Sequence, residues 1–448
     1  MQKRTIAIRI ILFTALTVLI LLYGLSLYLT PPIYWETYLI STLFCVFYAF
    51  AIIRVVPNFV SYLLGDEEPH LVRTGDRTFR RCGFRELGKL ILLVLVLRLI
   101  EILLTYVIHF LHFGYDGTFF EVQRMWLDVY HPETAFPLYG YLSDVFWIFT
   151  FNFNHARFIG SYVFTALSVG ALYYLVLFDF DRKTARRAVR YFLFLPFSAL
   201  LMGTVPDGLF LLLSILSLLF MRKKQFPLAN LFAMLAVTSH AFGVLLFIPI
   251  VAEYAAMLIR NVRSNKAMEK GHYVKQILNA LSFLLIPLGV GLVMLYALLR
   301  LGDALALYKN ALSLHTAAGG SLFSPFFRWT DSAFSQSLVI RQDTVVRILA
   351  TYLPHLLYLL GGILLIRLGC SHIPMSYVLL MTVTVPSILA AGRAGDAAGI
   401  ITVTAPFCIT FAVRIKRAKT DLIVTICMIL LWILYFYLYI CGYAGGAV

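Results

Sequence analysis

Seven ionisable residues of this chain have the types and spacing to act on a phosphorylated substrate: Asp116, Arg124, Glu133, Asp207, His240, Arg393 and Asp396. A carboxylate can take the proton of an acceptor hydroxyl, while guanidinium and imidazole groups can hold phosphate oxygens. Asp116 lies in Gly114-Tyr115-Asp116-Gly117-Thr118-Phe119-Phe120, just past a long apolar stretch, and leads on to Glu133-Thr134-Ala135-Phe136-Pro137-Leu138-Tyr139. An acidic group where an apolar helix meets water is costly and marks a functional candidate by default. Asp207 sits in Val205-Pro206-Asp207-Gly208, His240 follows Ser239, and Arg393 and Asp396 share the turn Ala391-Gly392-Arg393-Ala394-Gly395-Asp396. Each also has a plainer reading. Asp116 could be a solvated helix end, Glu133 and Asp207 helix starts, His240 a hydrogen-bonded loop residue, and Arg393 a surface group. Arg98 and Glu101 are three apart inside an apolar stretch, so they share a helix face and are expected to form a structural ion pair.

Apolar helices must position these groups. Of the 448 residues 61% are hydrophobic and only 13% charged, against about 25% charged in a soluble domain; the mean hydropathy is +0.87. Apolar runs recur at lengths of roughly 18 to 25 residues, enough to cross about 30 Å of hydrocarbon. The expected fold is an all-α polytopic membrane protein, one integral unit over residues 1–448. The net charge of +15 is gathered in short segments between apolar runs, including Arg182–Arg190, Arg222–Lys224, Arg260–Lys275 and Arg414–Lys419. It therefore encodes topology and contact with anionic lipid, and no nucleic-acid partner is expected. No two of the six Cys have metal-ligand spacing, and no phosphate-binding G-x-x-x-x-G-K-[ST] loop occurs.

With the N-terminus inside, the apolar runs alternate to give about thirteen spans, the first (8–29) reading as a retained anchor. Residues 112–156 then form a first outer loop in which 136–151 read as an interfacial helix. Residues 300–345 form a second outer loop, and 191–204, 207–221 and 398–413 are each expected to cross. This parity places Asp116, Glu133, Asp207, His240, Arg393 and Asp396 on one face of the membrane.

The order of these motifs resembles glycosyltransferases of the GT-C fold that use polyprenyl-phosphate sugars, and most narrowly the PIG-V-like mannosyltransferases. Tyr115-Asp116-Gly117 is similar to the first-loop acidic element of that family, and Ala135-Phe136-Pro137-Leu138-Tyr139 to its A-F-F-P-L-Y-P segment. Val205-Pro206-Asp207-Gly208-Leu209-Phe210 resembles its P-E/D-x-L-F turn. The likeness covers roughly residues 90–260; beyond them it rests on layout. Tyr115 stands where Trp is usual, His240 where Arg is common, and Arg393 precedes Ala394 instead of Tyr. The resemblance implies a GT-C-like bundle in which Asp116 is the catalytic base for inverting transfer of mannose or a related hexose. The donor would be a polyprenyl-phosphate sugar and the acceptor a lipid or glycan. Arg393, with Arg124 and His240, would neutralise the donor phosphate, and Glu133, Asp207 and Asp396 would complete the substrate site. No cofactor is expected to be required; Asp116 with Glu133 or Asp207 could hold a metal, but carboxylates spaced this widely give no metal-ligand set, so none is expected. The implied setting is an extracytoplasmic active site in a bacterial plasma membrane in preference to the endoplasmic reticulum. The alternatives are a transporter or flippase of lipid-linked saccharide, or a non-catalytic subunit of a glycosylation complex.

Overall fold

The computed structural model describes residues 2–64, 76–113, 135–202, 206–263, 270–311, 324–337, 352–391 and 393–440. Asp116, Arg124 and Glu133 lie outside these residues. The regular elements among the described residues are all helices. A chain this apolar has little choice, because in hydrocarbon each backbone N–H and C=O must find its partner within the same segment.

Among the described residues, seven segments are long and apolar enough to cross a membrane, or eight if one bent pair counts as a span. The chain is an integral multi-pass membrane protein. The long helices include α1 (Gln2–Leu29), α2 (Trp35–Leu63) and α3 (Asp76–Phe113). After two short helices, α4 (Pro137–Asp144) and α5 (Trp147–Thr150), comes the long α6 (Phe153–Asp179). The chain continues through α7 (Arg182–Phe194), α8 (Asp207–Arg222), α9 (Phe226–Ser239) and α10 (Phe247–Arg263). Next are α11 (Lys270–Ser282), α12 (Leu285–Leu301), α13 (Ala306–Ala311) and α14 (Ser324–Ser337). Last come α15 (Leu353–Gly369), α16 (Met375–Ala390), α17 (Ala397–Val403), α18 (Ala405–Arg414) and α19 (Ala418–Ile440).

The thirteen spans expected from the sequence exceed the seven or eight that meet both length and apolarity. The shortfall lies in 191–204 and in four helices of 14 to 17 residues, α8, α9, α15 and α16. At 16 residues α8 rises only about 24 Å. The expected crossing at 191–204 takes another form. The helix begins earlier, at Arg182, and is amphipathic: Ala185, Ala188, Val189 and Phe192 are buried, and the arginines lie on the other side. Pro196, which lacks an N–H, ends it and begins a 3-10 turn over Pro196–Met202. Residues 136–151 likewise form two short helices in place of one, split between Asp144 and Trp147. Tyr139 is fully buried there and donates to the Arg157 carbonyl at 2.7 Å, while Asp144 pairs with Arg157 at 2.9 Å. Val145, Ile148, Phe149 and Phe151 stay exposed.

At the centre, α6 packs against α8 and α8 against α9. Small residues allow the close approach: Ser168 Oγ donates to the Gly208 carbonyl at 2.8 Å, and Gly160, Gly170 and Ala166 line the same helix. The lipid-facing helices α1, α3 and α19 bury far less of themselves. Between α3 and the 3-10 turn, Arg98 and Glu101 form the expected buried pair at 2.8 Å, and Arg98 donates a second bond to the Ser198 carbonyl at 3.3 Å.

One end of the bundle is basic and tightly paired. Glu86 accepts from Arg182, Arg186 and Tyr173, and Asp421 from Arg190 and Tyr191 at 2.6 Å each. Below these, Arg222 lies fully buried between Asp179 (3.1 Å) and Glu253 (3.5 Å). Tyr377 donates to Asp179 at 2.7 Å, and Tyr62 and Lys224 also donate to Glu253. At the opposite end Asp331, from the second expected outer loop, caps the start of α2. It accepts from the Ile33 N–H (2.9 Å) and the Thr37 hydroxyl (2.7 Å).

Candidate functional site

The end opposite the basic one collects four of the seven sequence candidates. Asp207 opens α8 directly after Pro206, whose fixed φ suits a helix start. His240 follows α9 in an extended conformation (φ −158°, ψ 141°) before a 3-10 turn over Ala241–Leu246. Arg393 and Asp396 lie in the short turn between α16 and α17. The backbone N–H of Arg393 bonds to the Ile388 carbonyl at 3.0 Å, and that of Asp396 to the Arg393 carbonyl at 2.9 Å, which fixes the turn.

The side chains meet across these three regions. His240 Nε2 lies 3.6 Å from Asp207 Oδ1, and Arg393 Nε lies 2.6 Å from Asp396 Oδ2. The Arg393 charge acts on both Asp207 and His240, and that of Asp396 acts on Asp207. His240 Nδ1 accepts the Phe242 N–H at 3.2 Å, and its ring stacks on Phe210 at 4.7 Å. Burial, and then the nearby Arg393, push the imidazole down to about 3. His240 is therefore neutral at physiological pH. With Nδ1 accepting, the ring proton belongs on Nε2, facing Asp207. The positive charge of the cluster comes from Arg393 alone of the four, and His240 can offer a phosphate only a neutral N–H.

A fifth residue escaped the sequence reading. His355, in the first turn of α15, accepts the Ala398 N–H on Nδ1 at 3.2 Å and feels the charge of Asp396. It ties the start of α17 to α15 just beyond the Arg393–Asp396 turn. Its signal was available: an ionisable residue at the edge of an apolar run is a candidate on cost alone.

A narrow crevice of about 10 Å³, room for a single water at most, adjoins the cluster. Phe210 and Phe242, the two rings beside His240, line it together with Ser214, Thr384, Thr404 and Pro406. It reaches the break between α17 and α18, where the chain bends by 74°. Pro406 in the first turn of α18 and the extended Thr404 before it account for that bend.

The chain also returns beside the cluster after the residues that carry Asp116, Arg124 and Glu133. Phe136 belongs to one small buried group with Ala241, the neighbour of His240, and with Val293, Ala297 and Leu307. Among the described residues, no three His, Cys, Asp or Glu side chains are grouped to hold a metal ion.

Gly243 sets the position of His240. A Cβ there would lie 2.5 Å from the Ala236 carbonyl carbon and the Val237 nitrogen, both backbone atoms of α9 that cannot rotate away. Gly243→Ala is expected to push the 3-10 turn off α9 and to cost about 1–3 kcal/mol, as overpacking does. Thermal unfolding of the detergent-solubilised protein would measure this, and an unchanged midpoint would contradict the packing described.

Comparison of the chain with models of protein families, with curated proteins and with solved structures found no match.

Proposed function

We propose that this chain is a membrane glycosyltransferase that moves mannose or a related hexose from a polyprenyl phosphate to a lipid or glycan acceptor. The observation that carries the reading is the meeting of Asp207, His240, Arg393 and Asp396, from three distant stretches of chain, at the end away from the basic residues. By the positive-inside rule the basic end faces the cytoplasm, so the cluster opens on the extracytoplasmic side. Short helices such as α8 and α9, and α7 taken with its 3-10 turn as one pass over Arg182–Met202, then count as crossings, giving thirteen passes, and α4 and α5 lie in the interface with their exposed aromatic side toward lipid. A bacterial plasma membrane suits the compact outer segments.

The chemistry is an inverting displacement. The acceptor oxygen bonds to the sugar C1 as the C1–O bond to phosphate breaks, the electron pair leaves on the polyprenyl phosphate, and the acceptor proton passes to Asp116. Because the leaving group is already an anion, holding its charge matters more than protonating it. Arg393 supplies that hold, kept in place by Asp396, and the Nε2–H of His240 adds a neutral donor. Asp207 orients His240, and Arg124 and Glu133 complete the substrate site from the segment that ends beside Ala241.

Purified protein given radiolabelled polyprenyl-phosphate mannose and membrane lipid is expected to transfer label. Arg393→Gln is expected to lower kcat/KM about 10²–10³-fold, as loss of one preorganised charge-stabilising donor does. Equal transfer by the variant would remove Arg393 from the site.

The bend between α17 and α18 favours a second reading, because transporters build substrate sites on broken helices. Counterflow of an intact lipid-linked saccharide in liposomes, without sugar transfer, would select it.

A further inference from the structure

At the basic end, four cations lie close along α2, α15 and α18, and among the described residues none of them pairs with a carboxylate. Arg54 lies on α2, Arg367 in the last turn of α15, Arg414 at the end of α18, and Lys416 just beyond it. His372, in the turn between α15 and α16, sits among Arg54, Arg414 and Lys416. Its Nε2 is 2.6 Å from Arg414 Nη1. Burial first, then the charges of Arg414, Lys416 and Arg54, hold the imidazole below its ordinary range, so the ring adds a neutral partner to the cations. The Arg54 charge also acts on Cys370, two residues before His372. The Arg367 guanidinium lies 5.9 Å over the ring of Phe50, one turn before Arg54 on α2.

The contrast with the rest of this end is informative. Arg182, Arg186, Arg190 and Arg222 each meet a carboxylate. Among the described residues Arg54, Arg367, Arg414 and Lys416 form no ion pair, and all four are exposed. Like charges drawn together from separate elements repel unless an anion lies between them. Directly beside them, along the paired faces of α2 and α15, Phe50, Ile53 and Leu364 are 43–57% exposed. A soluble anion would use the cations and leave that apolar strip untouched; a phosphate carrying acyl chains would use both.

We propose that the groove between α2 and α15 at the basic end binds an anionic phospholipid. Its phosphate is held by Arg54, Arg367, Arg414 and Lys416, and its acyl chains run along Phe50, Ile53 and Leu364. The site stands apart from the opposite-end cluster and does not depend on the transferase reading.

Native mass spectrometry of the purified full chain with phosphatidylglycerol, phosphatidylcholine or inorganic phosphate tests it. Phosphatidylglycerol is expected to be retained in preference to phosphatidylcholine. The double variant Arg54→Gln/Arg414→Gln is expected to weaken that retention about tenfold or more, each cation near a membrane surface contributing about one kcal/mol toward an anionic lipid. Arg54→Lys/Arg414→Lys should restore most of it, and Lys419→Gln, an exposed cation at the start of α19, should leave it unchanged. The same thermal unfolding midpoint in all variants would show that folding is intact. An equal loss from Lys419→Gln would reduce the site to diffuse surface charge and overturn the proposal. Displacement of the lipid by inorganic phosphate at matched concentration would overturn its lipid character.

Discussion

Replacing Arg222 with glutamine is expected to destabilise the protein by about 3–5 kcal/mol, the cost of leaving buried charges without their counter-ion. The guanidinium is wholly enclosed, 3.1 Å from Asp179 and 3.5 Å from Glu253, and both carboxylates are themselves buried. Lys224 and the Tyr62 hydroxyl remain for Glu253, and Asp179 keeps the Tyr377 hydroxyl. This network joins α2, α6, α8, α10 and α16, so the loss would loosen five helices together. Unfolding monitored in detergent, with Arg222→Lys alongside, would measure this. Lysine keeps the charge but cannot span two carboxylates with a planar fork, so an intermediate loss is expected. Wild-type stability for Arg222→Gln would mean that the network contributes nothing net, as happens when desolvation cancels attraction.

Asp116→Asn is expected to lower transfer by about 10²–10⁴-fold in kcat, the range for removing a general base. Donor KM should change little, because the amide is nearly the same size and Asp116 is assigned to the acceptor proton and not to the donor phosphate. The opposite split is expected for Arg393→Gln, which should weaken donor binding as well as turnover. A kinetic comparison of the two variants over donor concentration separates a proton acceptor from a phosphate-holding group. If Asp116→Asn retained full turnover, the base would have to be sought elsewhere, and Asp207, 3.6 Å from a neutral histidine, would be the next carboxylate to replace.

The cluster opposite the basic end was half legible in the sequence. Parity of the apolar runs put Asp207, His240, Arg393 and Asp396 on one face, and the structure brings these four together. Parity could not show that His240 is neutral, because that follows from burial and from an arginine more than 150 positions away along the chain. Nor could it reveal His355, whose part depends on accepting the N–H of Ala398 on a helix 43 residues further on. At the other end the sequence reading took Arg182–Arg190 and Arg222–Lys224 only as topological markers. Several of these cations are instead consumed by Glu86, Asp421, Asp179 and Glu253. A count of basic residues records which side of the membrane they occupy, not how deeply they are buried or what they face.

The misjudged elements share a cause. Residues 191–204 and 136–151 are apolar enough to pass for continuous helices, yet Pro196 ends α7, and Phe136–Phe151 fold into two short pieces around the Asp144–Arg157 pair. The helix over 397–414 is interrupted by Pro406 and Thr404. Hydropathy averages over a window, and a single residue without an N–H, or a single ion pair, disappears in that average.

The amino-acid order alone fixed that this chain is helical, that it enters a membrane repeatedly, and that one end of the bundle is basic. These properties are local sums: transfer energy adds residue by residue, and hydrocarbon leaves the backbone only its own partners. The tertiary structure decided which charges meet, since lipid is as apolar as leucine and hydropathy says nothing of how each helix is rotated. That rotation was settled by small residues such as Ser168, Gly208 and Gly243, where backbones come close enough to choose their neighbours.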